Sequence, residues 1–361
     1  MRYLAACLPL IFLLSACSSK PKPTDTVSEP TFVQGGFKLE PEHAVHPLTG
    51  DFAANPATER FINNMVQKHG FDRQQLHDIL AQAKRLDSVL RLMDKQAPST
   101  TKPVGIPKPN GAWIRYSNKF ITPDNIQNGV AFWNQYDAAL QRAWNIYGVP
   151  PEIIVGIIGV ETRWGRVMGR TRILDALATL SFEYPRRAEY FSGELETFLL
   201  MARTEGNDPL SLRGSFAGAM GYGQFMPSSF KDYAVDFNGD GHINLWDPVD
   251  AIGSVANYFK SHGWEKEATV AVPAIGQAPE LKHGYNTRYS LTTLAMAGLK
   301  PQGSTSHHKE VSLLRLDMGS SYQYWYGLPN FYAITRYNHS TYYAMAVWQL
   351  GESVRVARKR Q

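Results

Sequence analysis

The chain has 361 residues, of which 43% are hydrophobic, 12% aromatic and 19% charged. That is ample apolar material for two or three packed units, and it excludes a wholly disordered chain, a coiled coil and a collagen-like repeat. A balance of 37 basic against 32 acidic residues gives +5, with no dense basic cluster outside the Arg355–Arg360 tail. Dedicated nucleic-acid binding is excluded on that ground; an acidic polymer or a membrane surface suits the mild excess better. Cys7 and Cys17 both lie at the extreme N-terminus, so the rest of the chain holds no disulfide framework and no Cys-based zinc site.

Residues 1–16 read as a secretory signal: Arg2, an apolar run from Leu4 to Leu14, then the small pair Ser15-Ala16. Leu14-Ser15-Ala16-Cys17 resembles a bacterial lipobox, in which the chain is cut before the cysteine and the cysteine is lipidated. More than one acyl chain on Cys17 would hold the protein stably on a membrane. Ser18 follows in place of Asp, which by the same resemblance implies the outer membrane, facing the periplasm. Loss of residues 1–16 removes Arg2 and leaves +4. Residues 17–36, rich in Ser, Pro, Thr and Lys, read as a flexible tether with a root-mean-square reach of roughly 25 Å.

From about residue 55 helical signals dominate. Asn55-Pro56 caps a helix through Phe61, Ile62, Met65 and Val66 that stops at Gly70. Asp72 with Gln75 caps a second, carried by Leu76, Ile79, Leu80, Ala83, Leu86, Val89 and Leu90. Residues 97–111, with four prolines, read as a loop. One helix is expected from Pro123 to Gly148, and a strongly apolar one from Pro150-Pro151 into Glu161-Thr162-Arg163-Trp164-Gly165. Helical patterns continue over 173–180, 188–202 and 251–259. Short strands are expected at 269–272 and 311–316, and helix returns at 341–350. The division that follows is a helical N-terminal region at 37–110, a helical core at 111–265, a small β-containing insert at 266–331 and a C-terminal return at 332–361.

Glu161 is the leading chemical candidate. Ile158 and Ile157, three and four residues back, share its helix face, and a carboxyl against apolar surface loses solvation of its charged form. The raised pKa that results is what a general acid near neutral pH requires. The competing possibility on spacing alone is a helix-terminal Glu paired with Arg163 or Arg166. Asp175, Glu183 and Glu189 follow as possible second carboxylates. The Gly-rich segment 214–223 lacks the dinucleotide and P-loop patterns, and its glycines suit close approach of a bulky chain. Tyr116, Tyr258, Tyr337, Asn338 and Tyr343 are candidate cleft residues offering stacking faces, each tyrosine weighed against ordinary core packing. No zinc-peptidase, redox or serine-hydrolase motif occurs.

Asp236-Phe237-Asn238-Gly239-Asp240-Gly241-His242 matches the start of an EF-hand loop: side-chain oxygens at positions one, three and five, Gly at six, and a carbonyl, from His242, at seven. Position twelve is Asp247 rather than Glu. Asp247-Pro248-Val249-Asp250 also reads as a helix cap, so the closing ligand is Asp247 or, in a lengthened loop, Asp250. A structural Ca2+ is expected there.

Gly159–Gly165, Gly214–Ser228, and Tyr337-Asn338-His339-Ser340 with Tyr342-Tyr343 together resemble the membrane-bound lytic murein transglycosylase B family, over nearly the whole chain from the lipobox onward. The resemblance implies a mainly α (α+β) protein with a lysozyme-like catalytic core. It implies cleavage of peptidoglycan glycan strands between N-acetylmuramic acid and N-acetylglucosamine, with one carboxyl, matching Glu161, acting as acid and then base. Ser215, Gln224 and Phe225 would line the cleft. Arg186 and Arg187 would meet a lactyl carboxylate or peptide stem, or else form a solvated pair after Pro185. A hydrolytic muramidase is the closest rival and differs only in the acceptor.

Overall fold

The computed structural model describes residues 46–96, 108–305 and 308–360. The signal, Cys17 and the tether lie outside the described residues. In chain order come α1 (Pro56–His69), α2 (Arg73–Ala81), α3 (Asp87–Gln96), α4 (Ala112–Ser117), α5 (Pro123–Gln135), α6 (Asp137–Tyr147) and α7 (Pro151–Thr162). Next are β1 (Thr171–Arg172), α8 (Ile173–Glu183), α9 (Ala188–Thr204), β2 (Arg213–Gly214), α10 (Pro227–Tyr233) and α11 (Pro248–Ser261). The insert holds β3 (Ala271–Ile275), β4 (Tyr289–Ser290), α12 (Leu291–Met296), β5 (Lys300–Pro301), β6 (Glu310–Asp317) and β7 (Tyr322–Gly327), before α13 (Pro329–Tyr337) and α14 (Thr341–Arg358).

The expected caps form. Asn55 accepts from Ala57 N at 2.9 Å and Asp72 from Gln75 N at 2.7 Å, each satisfying a first-turn amide. The helix expected to run from Asp72 to Leu90 is instead two. Between them Lys84 N donates to Asp175 Oδ1 (2.9 Å) and Leu86 N to Thr179 Oγ1 (3.0 Å), so side chains of α8 draw these amides out of the helical ladder. The helix expected over 123–148 also divides, at Tyr136 (φ −113°, ψ 23°). There the Asp137 carboxylate accepts from the Trp133 indole at 3.0 Å and pairs with Arg358 at 3.0 Å. An unbroken apolar pattern concealed both breaks. The N-terminal helices share the main core: Phe182 of α8 meets Phe52 and Phe61 edge-on at 5.4 and 5.9 Å.

The insert is a five-stranded antiparallel sheet in the order β4-β6-β7-β3-β5, with Leu314 opposite Trp325 and Val272 opposite Tyr326. One face packs on α12 as a satellite core of Val272, Leu294, Leu299, Leu313, Tyr324 and Tyr326; Leu314 and Leu316 belong to the main core. Strand β7 ends at Gly327 and α13 starts at Pro329. Asn330, wholly buried, clips entrance to exit: it accepts from Glu265 N and donates to the carbonyls of Glu265 and Ala268 at 2.8–3.0 Å. Among the described residues no single helix is long and apolar enough to cross a membrane.

Candidate active site

Helix α7 is apolar all round because it is enclosed: Ile153, Ile154, Val155, Ile157 and Ile158 are at most 1% exposed. Its closest neighbour is α14, running the opposite way. A Cβ on Gly156 would overlap the Val347 carbonyl oxygen, and one on Gly351 would overlap that of Glu152. Only glycine permits such backbone contact. The same antiparallel pairing brings the last turn of α7 to the first turn of α14, where the Tyr343 hydroxyl donates to Glu161 Oε1.

Glu161 keeps part of its surface open while protein surrounds its carboxyl. Burial pushes its pKa up to about 7, against the opposing effect of the Tyr343 hydrogen bond. Tyr343, Tyr337 and Tyr116 face it. Burial first, and then the Glu161 charge, raises the pKa of each phenol, so all three remain protonated donors.

The residues after Glu161 hold it in place. Thr162 bridges the carbonyls of Ile158 (3.1 Å) and Tyr222 (3.0 Å) and accepts from Gly165 N. Arg163 and Trp164 adopt positive φ (50° and 56°), which turns the chain back. The Trp164 indole then donates to Val155 O at 3.1 Å and fills the space beside Gly159 and Gly129. Gly165, φ 86°, sits where a Cβ would strike the Tyr222 ring. The motif was legible in sequence; the roles of Thr162, Trp164 and Tyr222 were not.

Opposite stands the Gly-rich segment, closed as a tight hairpin by reciprocal bonds between Met220 and Phe225. Gln224, at its tip with φ 53°, donates to Met168 O (3.2 Å) and Gly221 O (2.9 Å). Ser215 accepts from the amides of Ala217 and Ala219 and so shapes the preceding turn. Tyr337 donates to Gly223 O at 2.6 Å, tying the hairpin to α13 beside Glu161. Phe225, Tyr258 and Tyr343, expected at the cleft, are buried (2%, 8% and 4% exposed). Phe225 packs against Tyr258 and Tyr337, and the Tyr258 hydroxyl donates to Arg336 O at 2.7 Å. Asn338 is exposed, and its carbonyl accepts from Ser340 N where α14 begins. Arg186 and Arg187 are exposed in the 3-10 turn before α9, where Arg187 lies over Tyr190 at 4.2 Å.

The other acids have structural partners. Asp175 receives Lys84 N and pairs with Arg172 at 2.7 Å; Glu183 receives Asn55 Nδ2 at 3.1 Å and pairs with Arg85 at 3.5 Å. Glu189 is exposed. Glu194, buried and not singled out by sequence, receives both the amide and the hydroxyl of Ser228 and so caps α10.

In loop 236–250, Asp236 accepts from the amides of Gly239, Asp240 and Gly241, and Asp240 from that of His242, which curls the chain round its own acids. Gly239 and Gly241 take positive φ (80° and 91°). Asp247 is committed to α11, accepting from Val249 N and Asp250 N. Asp250, wholly buried, reaches back to accept from Phe237, Asn238 and Asn244 amides at 2.8–2.9 Å. Among the described residues no three His, Cys, Asp or Glu side chains form a ready metal cluster. The loop's donors are instead carboxylate, amide and carbonyl oxygens, which suit a hard cation.

A buried acid at a helix end, ringed by phenols and faced by a glycine hairpin, is a constellation for acid–base chemistry on a bulky substrate. Residues 53–352 match the transglycosylase SLT domain, and the chain belongs to that family of enzymes. It is 73% identical, over 353 residues and 97% of each chain, to membrane-bound lytic murein transglycosylase B of Escherichia coli. Two solved structures of the Escherichia coli lytic transglycosylase SLT35 are also similar. The complex with calcium has a TM-score of 0.84 at 73% identity, and the complex with bulgecin A 0.84 at 74%; each match covers 89% of this chain and 99% of that one.

Proposed function

We propose that this chain cleaves the β-1,4 bond between N-acetylmuramic acid and N-acetylglucosamine in peptidoglycan, with Glu161 as sole proton carrier. The observation that carries this is the Glu161 carboxyl, pushed up to about 7 by burial and hydrogen-bonded by Tyr343. With Tyr343 on Oε1, the acid form carries its proton on Oε2. That proton passes to the glycosidic oxygen as the C1–O4 bond breaks. The carboxylate left behind then takes the proton of the muramic acid 6-hydroxyl as O6 bonds to C1. A 1,6-anhydro ring forms, no water is consumed, and Glu161 ends as it began.

Ordinary glycosidases need a second carboxylate as base or nucleophile. Here the substrate's own hydroxyl is the acceptor, and the commitments of Asp175 and Glu183 elsewhere support a one-acid scheme. Tyr116, Ser215, Gln224, Tyr337 and Asn338 would meet the sugars, with Phe225 and Tyr258 as backing. Arg186 and Arg187 would serve at the rim. Glu161→Gln should abolish strand cleavage while preserving the fold. Mass spectrometry of digested murein should find ends one water lighter than reducing ends; turnover in the variant, or free reducing ends from the parent enzyme, would overturn the scheme.

The calcium-bound relative and the oxygen-rich loop support a structural Ca2+ held by Asp236, Asn238, Asp240, the His242 carbonyl and Asp250. Bound there, the ion would supply positive charge that pins the loop between α10 and α11. Asp247, occupied as a cap, would stand aside. Acylation at Cys17 would anchor the enzyme to the outer membrane facing the periplasm. Cys17→Ser should move it from the membrane to the soluble fraction.

A further inference from the structure

The insert reaches the active site through a residue with no part in the proton transfer. Asp317 is the last residue of β6 and is buried, at 8% exposure. Its carboxylate accepts from the amides of Asn110 (2.9 Å), Gly111 (2.7 Å) and Gly319 (3.0 Å). Against burial, which alone would raise its pKa, these amides and that of Ala112 hold it below the usual carboxylate range, so it stays ionised. Two glycines let the backbones meet: a Cβ on Gly319, φ 91°, would touch Gly111 Cα at 3.7 Å.

Asn110, Gly111 and Ala112 lead into α4. That helix has six residues, too few to hold itself in water, and its cap residue Gly111 has no side chain to accept from the first turn. Asp317 supplies the acceptor from 206 residues away. What this cap sets in place is a cluster of rings. Trp113, 4% exposed, stacks on Tyr116 at 6.3 Å and meets Tyr342 edge-on at 5.3 Å, and Tyr116 lies 5.8 Å from Tyr342. Tyr342 in turn accepts from the Asp317 amide at 3.4 Å. Tyr116 of α4, Tyr337 of α13 and Tyr343 of α14 are the titratable groups that face Glu161. Tyr337 and Tyr343 are tied by their own hydroxyls, to Gly223 O and to Glu161. Tyr116 has no such tie, so its place depends on α4 and the rings around it.

We propose that Asp317 is a positioning residue of this enzyme: by capping α4 from the insert, it holds the Tyr116 ring against Glu161. The proposal rests on the Glu161 reading above and gives the insert a part in it. Tyr116 is one wall of the enclosure that keeps solvent from the Glu161 carboxyl. With Asp317 replaced by alanine, the amides of Asn110 and Gly111 lose their acceptor and turn to water. The first turn of α4 loosens, Tyr116 swings away, and water reaches Glu161. A better-solvated carboxyl gives up its proton more readily, so its pKa falls.

The test follows the Glu161 titration in the full chain by carbon-13 NMR of labelled glutamate carboxyls, its signal assigned by absence from Glu161→Gln. Asp317→Ala should move the midpoint down by about one pH unit, and Tyr116→Ala by at least as much. The double variant should titrate no lower than Tyr116→Ala alone. An effect that runs through Tyr116 vanishes once the ring is gone, whereas a direct effect of the lost charge would persist. Asp317→Asn, which keeps an acceptor oxygen, should recover part of the change. In strand cleavage, such a fall leaves about a tenth of the molecules protonated at pH 7 in place of about half. The kcat of Asp317→Ala should therefore drop about fivefold at pH 7 and return close to the parent's at pH 5. An unmoved Glu161 midpoint in Asp317→Ala, a double variant that sums the two single changes, or a kcat loss equal at both pH values would overturn the proposal. Should Asp317→Ala fail to fold, Asp317→Asn carries the same cycle with the same outcomes. Turnover by Glu161→Gln would sink the catalytic scheme alone, since the titration is read without turnover.

Discussion

Two acidic centres in this protein are built on opposite principles. Around Glu161 the wall is apolar or phenolic, backbone amides point elsewhere, and burial raises the carboxyl to about 7. In loop 236–250 the acids gather amides: bonds from the His242 amide and from Asn238 hold Asp240 below its ordinary pKa. A carboxyl starved of donors keeps its proton and can lend it. Asp240, exposed and supplied with donors, stays ionised, whereas burial still pushes Asp250 above its ordinary pKa against its three amides. The same chemical group is set toward its protonated or its ionised form by the balance of burial against nearby donors.

The sharpest way to break this contrast is to exchange charge at each centre. Glu161→Gln should lower turnover by about a thousandfold or more, whereas Asp240→Asn should leave turnover close to the parent's and weaken protection against heat by added calcium. Strand-cleavage assays and melting curves with and without chelator would show it. A comparable loss of turnover from Asp240→Asn would dissolve the distinction.

Next in size is closure of the loop. Asp250→Ala leaves three amides, one buried and two half-buried, without their acceptor and should cost about 2–4 kcal/mol in denaturant unfolding, measured in chelator. Asp247→Ala removes only a helix cap, about 1 kcal/mol. Equal costs would deny Asp250 its special position.

A third prediction turns on pH. Glu161 holds its proton in the folded state up to about pH 7, but only to about 4.5 unfolded. Its contribution is fully present below the unfolded value and lost as pH rises through the folded one. Glu161→Gln should therefore gain on the parent by about 3 kcal/mol at pH 8 and by almost nothing at pH 4. Unfolding at the two pH values reads this directly. The smallest effect concerns Tyr343→Phe, which removes a donor that favours the carboxylate. The alkaline limb of the kcat profile should shift upward by up to about one pH unit; a downward shift would assign that hydroxyl another task.

The buried carboxyl of Glu161 was legible because its cause is local: a run of isoleucines ends in Glu-Thr-Arg-Trp-Gly, and both burial and turn are written within a dozen residues. The caps at Asn55 and Asp72 were legible for the same reason. The partner hydroxyl was not legible in that role, because Tyr343 lies 182 residues away and reaches Glu161 only through the glycine contact between α7 and α14. The choice between Asp247 and Asp250 depended on which acid the helix would take as its cap, a matter of backbone direction that composition does not encode. The breaks at 82–86 and at Tyr136 escaped because distant side chains, those of Asp175, Thr179 and Arg358, override a continuous apolar pattern. Strand β7, Tyr-Gln-Tyr-Trp-Tyr-Gly, escaped too: its aromatic residues fit a strand but also a cleft wall.

The contact of Gly156 with Val347 and of Gly351 with Glu152 also bears on what becomes of damaged copies. A molecule clipped ahead of its last helix loses the hydroxyl that steadies the acid and bares the isoleucine-rich flank of α7 in the same stroke. Inactivity and stickiness then arrive together.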